Sequence, residues 1–244
     1  MTITPLNGKI SVSGRGSDFI LYLKENIMPK ERKDISMSVV KRLPRYYRFL
    51  GELKKKNITR ISSRELSQMM GFTASQIRQD LNCFGGFGQQ GYGYNVDQLR
   101  NEIGIILGVE NGFKTILIGC GNLGRAIASH MAFEDRGFEL VGIFDAKASE
   151  MQDIKIKGIS ISPVDELEMY CAEVEPVVAV LCLPSGAAPE IVERLVKLGI
   201  TNFWNFSHYD ILSEYPDAVV ENVHLNDSLM TLSYQISNKG ELLK

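Results

Sequence analysis

The chain is poor in the residues that metal and thiol chemistry need. It has three histidines, His130, His208 and His224, and four cysteines, Cys83, Cys120, Cys171 and Cys182, none of them in a CxxC pair. Spacing this wide supports neither a zinc site nor a disulfide framework. The cysteines are expected to be reduced and mostly buried thiols, with Cys83 the one placed to oxidise. HExxH and GxSxG are both missing, which removes the usual zinc-peptidase and serine-hydrolase arrangements. No apolar run approaches the roughly 20 residues that cross a bilayer. The N-terminus lacks the basic start, apolar stretch and small-residue cleavage site of a secretory signal. A cytoplasmic protein with no metal and no membrane partner is the expectation.

What is present is ordinary in amount and uneven in placement. At 244 residues, 44% hydrophobic and 23% charged, the chain can build one large domain or two modest ones. The net charge of −2 conceals a local excess. Between Lys30 and Arg64 there are 12 Lys/Arg against Glu31, Asp34 and Glu52, a local +9 that leaves −11 for the remainder. A basic stretch attracts polyanions, though it can equally solvate a helix face, so a motif must decide.

The first 34 residues mix Gly, Ser, Lys and one short apolar patch without periodicity, as in a disordered extension. From Ile35 the pattern turns helical. Val39, Leu43, Tyr46, Tyr47, Leu50 and Leu53 share one broad face, and Pro44 marks a helix start or kink. Ser62 with Glu65 forms a capping box for a helix over Ser63–Met70, ended by Gly71. Thr73 with Gln76 repeats the pattern for a helix over Ala74–Phe84. Two capped helices joined by a glycine turn make a helix-turn-helix. The second helix exposes Ser75, Gln76, Arg78 and Gln79 and turns Ile77 and Leu81 inward. Amide and guanidinium heads at the start of such a helix suit the edges of bases in a major groove. Arg45, Arg60, Ser62 and Ser63 complete the candidate DNA contacts on its basic flank.

Next, "FGGFGQQGYGYNV" (84–96) alternates glycines with aromatics and reads as a β-hairpin with Gln89-Gln90 at its tip. A hairpin in this position is the wing of a winged-helix domain, here spanning 35–96. The amide tip can hydrogen-bond to DNA but releases no counterions. An amphipathic linker helix over 97–112 closes on a glycine.

At Phe113 the pattern changes again. "KTILIG" is a buried strand, Asn122–Phe133 a helix, and "FELVGIFDA" a second strand ending near Asp145. A strand over Val177–Pro184, a helix over Ala187–Leu198 and the strand "NFWNF" follow. This alternation over 113–223 predicts a Rossmann-like parallel sheet covered on both faces, and an α/β protein. Gly119, Gly121 and Gly124 form GxGxxG between the first strand and its helix, and Asp145 lies about 20 residues further on. Gly119 permits the tight turn, Gly121 lets a pyrophosphate approach the positive helix end at Asn122 and Leu123, and Gly124 allows close packing. Asp145 would hold a ribose diol and repel a 2′-phosphate. Cys120 in the loop and Pro184 after the later strand complete the candidate nucleotide contacts.

A dehydrogenase also needs a substrate domain and an acid or base, and the sheet uses most of the chain beyond the loop. The enzyme reading, a small dehydrogenase with a basic appendage, therefore stands behind that of a sensor. A CoA- or nucleoside-binding module acting through protein partners is a third reading. The final stretch, 224–244, carries Leu229, Leu232 and Ile236 as an apolar stripe on a terminal helix. It packs on its own domain or is exchanged with a second subunit; a helix-turn-helix reader usually works as a two-fold dimer.

In this order the segments "ISMSVVKRLPRYYRFL", "SSRELSQMMGFTASQIRQDLNCFGGFG", "GYGYNV", "ILIGCGNLGRAI" and "NFWNF" resemble the Rex family of redox-sensing transcriptional repressors, from about Ile35 onward. The resemblance implies a homodimer with domain-swapped terminal helices. It also implies binding to pseudo-palindromic operators when NADH is scarce, and release when NADH displaces NAD⁺. It carries Gly119, Gly121, Asn122, Leu123, Gly124 and Asp145 over as cofactor contacts and Ser75, Gln76, Arg78 and Gln79 as operator contacts. Three positions depart from the family pattern. Gln89-Gln90 replaces a basic pair, His130 stands where a tyrosine is usual, and His224 where an aspartate is usual. In the family those last two couple nicotinamide redox state to dimer closure, so His130 and His224 are candidate redox-coupling residues.

Overall fold

A computed structural model describes residues 3–6, 9–12, 35–83, 88–89 and 92–238. The chain divides into two compact units, Met1–Gly108 and Val109–Lys244.

In the first unit β1 (Ile3–Leu6) pairs antiparallel with β2 (Lys9–Val12). A hairpin thus stands where disorder is expected from the sequence; most of that extension lies outside the described residues. The helices are α1 (Met37–Val40), α2 (Leu43–Lys55), α3 (Ser63–Met70), α4 (Ala74–Asn82) and α5 (Val96–Leu107). The helical stretch is broken at Lys41-Arg42, and Pro44 lies in the opening turn of α2, the helix start expected there, where its missing N–H removes nothing. The short strands β3 (Arg60–Ile61), β4 (Gly88–Gln89) and β5 (Gly93–Asn95) form one antiparallel sheet in the order β3-β5-β4. This is the expected wing. Phe84 and Gln90 lie outside the described residues.

One boundary is corrected. The helix expected as a linker over 97–112 belongs to the first unit's core. Val96, Leu99 and Ile103 are buried in one cluster with Leu43, Tyr46 and Leu50 of α2, Leu66 and Met70 of α3, and Ile77 and Leu81 of α4. Its apolar face is satisfied within the winged-helix unit, and only Val109–Gly112 separate its glycine cap from the next strand. Burying each such side chain contributes about 1.5–3 kcal/mol.

The second unit is a seven-stranded sheet of β6 (Phe113–Ile118), β7 (Phe138–Asp145), β8 (Lys155–Ile156), β9 (Ile159–Pro163), β10 (Val178–Leu181), β11 (Asn202–Asn205) and β12 (Val219–Asn222). Its order is β12-β11-β10-β6-β7-β9-β8. Every pairing is parallel except β8 with β9. Helices α6 (Asn122–His130), α7 (Leu167–Val174) and α8 (Ala188–Lys197) accompany it. Two hydrophobic clusters result. One is built on Ile116, Ile118, Phe144 and Leu181, the other on Leu117, Ile143 and Val180. Neighbouring residues of β6 feed different clusters because side chains alternate along a strand; that is why "ILI" reads as an unbroken apolar run.

The last helix, α9 (Leu225–Asn238), has no buried residue, and Leu229, Leu232 and Ile236 are 66%, 49% and 65% exposed. A 14-residue helix is marginal by itself in water.

Candidate functional site

Two sites are built on these units. In the first, Ser62 and Glu65 form the full capping box. The Glu65 N–H donates to Ser62 Oγ at 3.2 Å, and the Ser62 N–H donates to Glu65 Oε2 at 2.8 Å. The Ser62 hydroxyl also donates to Glu65 Oε2 at 2.7 Å, and that bond, with the one from the Ser62 N–H, holds the Glu65 carboxyl below its ordinary value. Thr73 caps α4 by accepting from the Gln76 N–H at 3.1 Å. The second box stays half-formed, because the Gln76 side chain turns forward along the helix to donate to Asp80 Oδ1 at 2.8 Å.

Asp80 is the residue that inspection of the sequence passes over. It is completely buried and accepts four hydrogen bonds. Arg42 Nε and Nη2 donate at 2.7 Å each, Tyr46 Oη at 3.0 Å, and Gln76 as above. Burial pushes the carboxyl up, but the bonds from Arg42, Gln76 and Tyr46 together with the charge of Arg42 outweigh it and hold it below its ordinary value. Tyr46 is driven the other way, up, by burial and by the neighbouring carboxylate. Because folding lowers the Asp80 pKa, its contribution to stability is full at neutral pH and is lost as pH falls below about 4. Asp80→Ala is expected to cost about 3 kcal/mol at pH 7, near the low end for a broken buried pair because the Arg42 side chain keeps 24% exposure. In thermal melts of both proteins against pH, the gap should narrow as pH falls below about 4.

The exposed face of α4 carries Ser75, Arg78 and Gln79, with Gln76 half-buried. Arg78 Nη1 donates to Ser63 Oγ at 3.1 Å, joining two candidate contacts. The Arg45 guanidinium lies 4.9 Å over the Phe72 ring, a stacking that leaves its edge to solvent. Arg60 Nη1 donates to the Tyr92 carbonyl at 3.4 Å, placing a cation beside the wing. Tyr92, 70% exposed, also escapes detection from sequence. Ser62 serves as a cap, half-buried. Gln89 lies in β4. The arrangement is a polar and cationic face on a rigid helix pair, suited to a duplex.

The second site lies where the strand order reverses, between β6 and β10, the position that binds ligands in open α/β sheets. Gly119 follows β6 with φ +95°, its N–H donating to the Phe144 carbonyl at 2.8 Å. A Cβ there would strike the Cys182 carbonyl, and one at Gly124 would strike the Gly119 carbonyl. At Gly121, the N-cap of α6, a Cβ would meet nothing within 4 Å. Gly119 and Gly124 are thus required by the protein itself, and Gly121 opens outward. Among the described residues no side chain caps α6, so its leading N–H groups, at Asn122 and Leu123, face the opening beyond Gly121 without an intrahelical acceptor. The residues present therefore fit an anionic pyrophosphate.

Asp145 is already engaged. Its Oδ2 accepts from the Cys120 N–H at 2.6 Å and its Oδ1 from the Lys147 N–H at 2.8 Å. The carboxylate thus fixes the glycine loop, a role beyond the ribose contact expected for it. Burial pushes the Cys120 thiol up and the Cys182 thiol up to about 12, so neither serves as a nucleophile. Pro184 lies in the loop after β10 and Cys83 is exposed, as expected.

A cavity of about 160 Å³ opens beside the loop, lined by Leu123, Phe206, His208, Val223, Leu225 and Asn226. His224 does not meet His130 here. It stacks on His208, with ring centroids 5.4 Å apart and planes 10° from parallel, while His130 ends α6, exposed. The pairing follows from the sheet. Asn205 lies opposite Asn222 on the parallel strands β11 and β12, so both histidines leave the same edge. Buried Asn205 locks that edge by donating to Asn222 Oδ1 and the Tyr209 carbonyl and accepting from Ser207. Among the described residues no group of three or more metal-ligating side chains occurs, and no helix is long and apolar enough to cross a membrane.

Comparison with known proteins agrees with this division. Residues 34–82 match the family model described as "Putative DNA-binding protein N-terminus", and residues 110–209 match that of a CoA binding domain. The chain is 50% identical over 217 residues to the redox-sensing transcriptional repressor Rex of Thermoanaerobacter pseudethanolicus, covering 89% of this chain and 95% of that protein. It is 52% identical over 203 residues to that of Clostridioides difficile, covering 83% and 95%. Among solved structures it is similar to RSP in complex with β-NAD⁺ and operator DNA, at TM-score 0.77, 50% identity and 86% and 96% coverage. It is equally similar in fold to RSP with β-NADH, at TM-score 0.77, 46% identity and 86% and 98% coverage. The duplex-facing helix pair and the glycine loop with its carboxylate therefore belong to one lineage, and the chain is a member of the Rex family of redox-sensing transcriptional repressors.

Proposed function

We propose that the protein is a cytoplasmic, homodimeric repressor that occupies a pseudo-palindromic operator when NADH is scarce and leaves it when NADH fills the pocket at Gly119–Gly124. The observation that carries this reading is the presence, in one chain half identical to a repressor solved on operator DNA with β-NAD⁺, of a polar helix-turn-helix face and an outward-opening dinucleotide loop. Ser75, Gln76, Arg78 and Gln79 read base edges. Arg45, Arg60, Ser62, Ser63, Gln89 and Gln90 meet the backbone or the minor groove. Gly119, Cys120, Gly121, Asn122, Leu123, Gly124, Asp145 and Pro184 hold the nucleotide. Two copies of α9 are exchanged, covering the stripe that one chain leaves bare. The protein is a regulator rather than an enzyme, as its relatives are repressors.

NADH acts only through a difference in affinity between the two dimer states. Moving the protein from almost all bound to almost all free takes about 5.5 kcal/mol of that difference, which two pockets share. Operator binding titrated with and without NADH, followed by fluorescence anisotropy, tests the reading. Release on adding NADH supports it, while NADH turnover with carbonyl substrates or indifference to DNA at modest salt overturns it.

A variant of this sensing is favoured by the imidazoles at His130 and His224. With histidine at both coupling positions, the protein discriminates NADH from NAD⁺ less sharply, or in a pH-dependent way. Operator titrations at several NADH/NAD⁺ ratios and at pH 6 and 8 are expected to give shallow or pH-shifted release curves. A steep curve identical at both pH values would rule this variant out.

A further inference from the structure

The Gln76 side chain has two candidate partners, its own helix cap and Asp80, and takes the second. Asp80 is ionised and so offers only acceptors. Its place is fixed by a bidentate bond from Arg42, a bond from Tyr46 and complete burial. Only the NH₂ end of the Gln76 amide can face it. The amide therefore cannot turn over, and what it shows to solvent is the carbonyl oxygen and the remaining N–H. Gln76 occupies the first turn of α4, half-buried between exposed Ser75 and Arg78.

We propose that Asp80 is a positioning residue for base recognition. By clamping one face of the Gln76 amide it aims a carbonyl acceptor into the groove and selects adenine at the base pair facing Gln76. Adenine presents N6–H to that carbonyl and N7 to the remaining N–H, whereas guanine and thymine present acceptors where the carbonyl points. A glutamine free to flip could satisfy either pattern, so the discrimination belongs to the buried carboxylate as much as to the amide. Arg42 and Tyr46 serve the same end one layer back. The inference rests on the reading that α4 enters the major groove.

The test measures binding of the full-length protein to operators substituted at each base pair of the half-site. Wild-type protein is expected to prefer adenine at one position per half-site by about five- to 150-fold. Gln76→Leu should flatten that position alone. Asp80→Asn, which lets the amide turn over, should reduce the adenine-to-guanine ratio there to within about threefold while other positions keep theirs. Ratios within one variant do not depend on its active fraction, so partial unfolding of Asp80→Asn does not blur the readout. If that variant does not fold, Tyr46→Phe, which removes one of the bonds that fix Asp80 and keeps Gln76, carries the test through the same adenine-to-guanine ratio. A uniform loss of affinity with every preference intact would give Asp80 a purely structural role and overturn the proposal, as would an adenine preference that survives Gln76→Leu. Wild-type protein that ignores DNA would overturn the operator reading itself, a separate and recognisable failure.

Discussion

Glutamate at both Leu229 and Leu232 is expected to convert the protein to monomers and weaken operator binding by about 100- to 10,000-fold. Helix α9 has no buried residue, although apolar side chains recur along one side of it. Six of its large hydrophobics, from Leu225 to Ile236, are 49–71% exposed. An apolar stripe of this extent on a helix too short to stand alone needs a cover. In the proposed exchange each chain supplies that cover to the other. Two carboxylates placed in a dry seam would go unpaired. Without the dimer, each recognition helix meets a half-site by itself and the gain from simultaneous engagement is lost. Sedimentation velocity and anisotropy on one operator measure both effects. A variant that stays dimeric would show that α9 does not hold the subunits together.

The other large effect separates two glycines of one loop. Gly124→Ala is expected to destabilise the second unit by more than about 4 kcal/mol, because its Cβ has no room beside the Gly119 carbonyl, a backbone atom that cannot swing aside. Gly121→Ala should melt like wild type, since its Cβ meets only open space. It should nonetheless weaken NADH by about 1.5–3 kcal/mol for each charged hydrogen bond that the new methyl disturbs between the helix end and the pyrophosphate. Calorimetric melts and NADH fluorescence titration together read the pair. Full NADH affinity in Gly121→Ala would place the pyrophosphate elsewhere.

The features legible in the sequence are those set by neighbours along the chain. Ser62 and Glu65, Gly71 and Thr73 mark helix ends by local hydrogen bonding, and all four do what their positions suggest. The GxGxxG loop was legible because its first and last glycines answer steric demands inside a single strand-turn-helix unit. Features decided by distant packing were not. Helix α5 reads as a linker because nothing local says that Val96, Leu99 and Ile103 face Leu43 and Leu50. The forward turn of Gln76 depends on Arg42 and Tyr46 holding Asp80 from a distant stretch of the chain. The His208–His224 stack needs two parallel strands in register, a relation that three scattered histidines do not reveal. The β1–β2 hairpin is a different case. Its two short β-type runs are outweighed in the sequence by the polar stretch that follows.

Asp145 has a kinetic consequence. Its two oxygens already bind the amides of Cys120 and Lys147, so the receptor's shape is set when the chain folds. Little ordering is left for the moment of capture. Exchange of one nucleotide for another then waits on escape of the first, with no loop rearrangement adding delay, and occupancy can track a fluctuating pool almost in step.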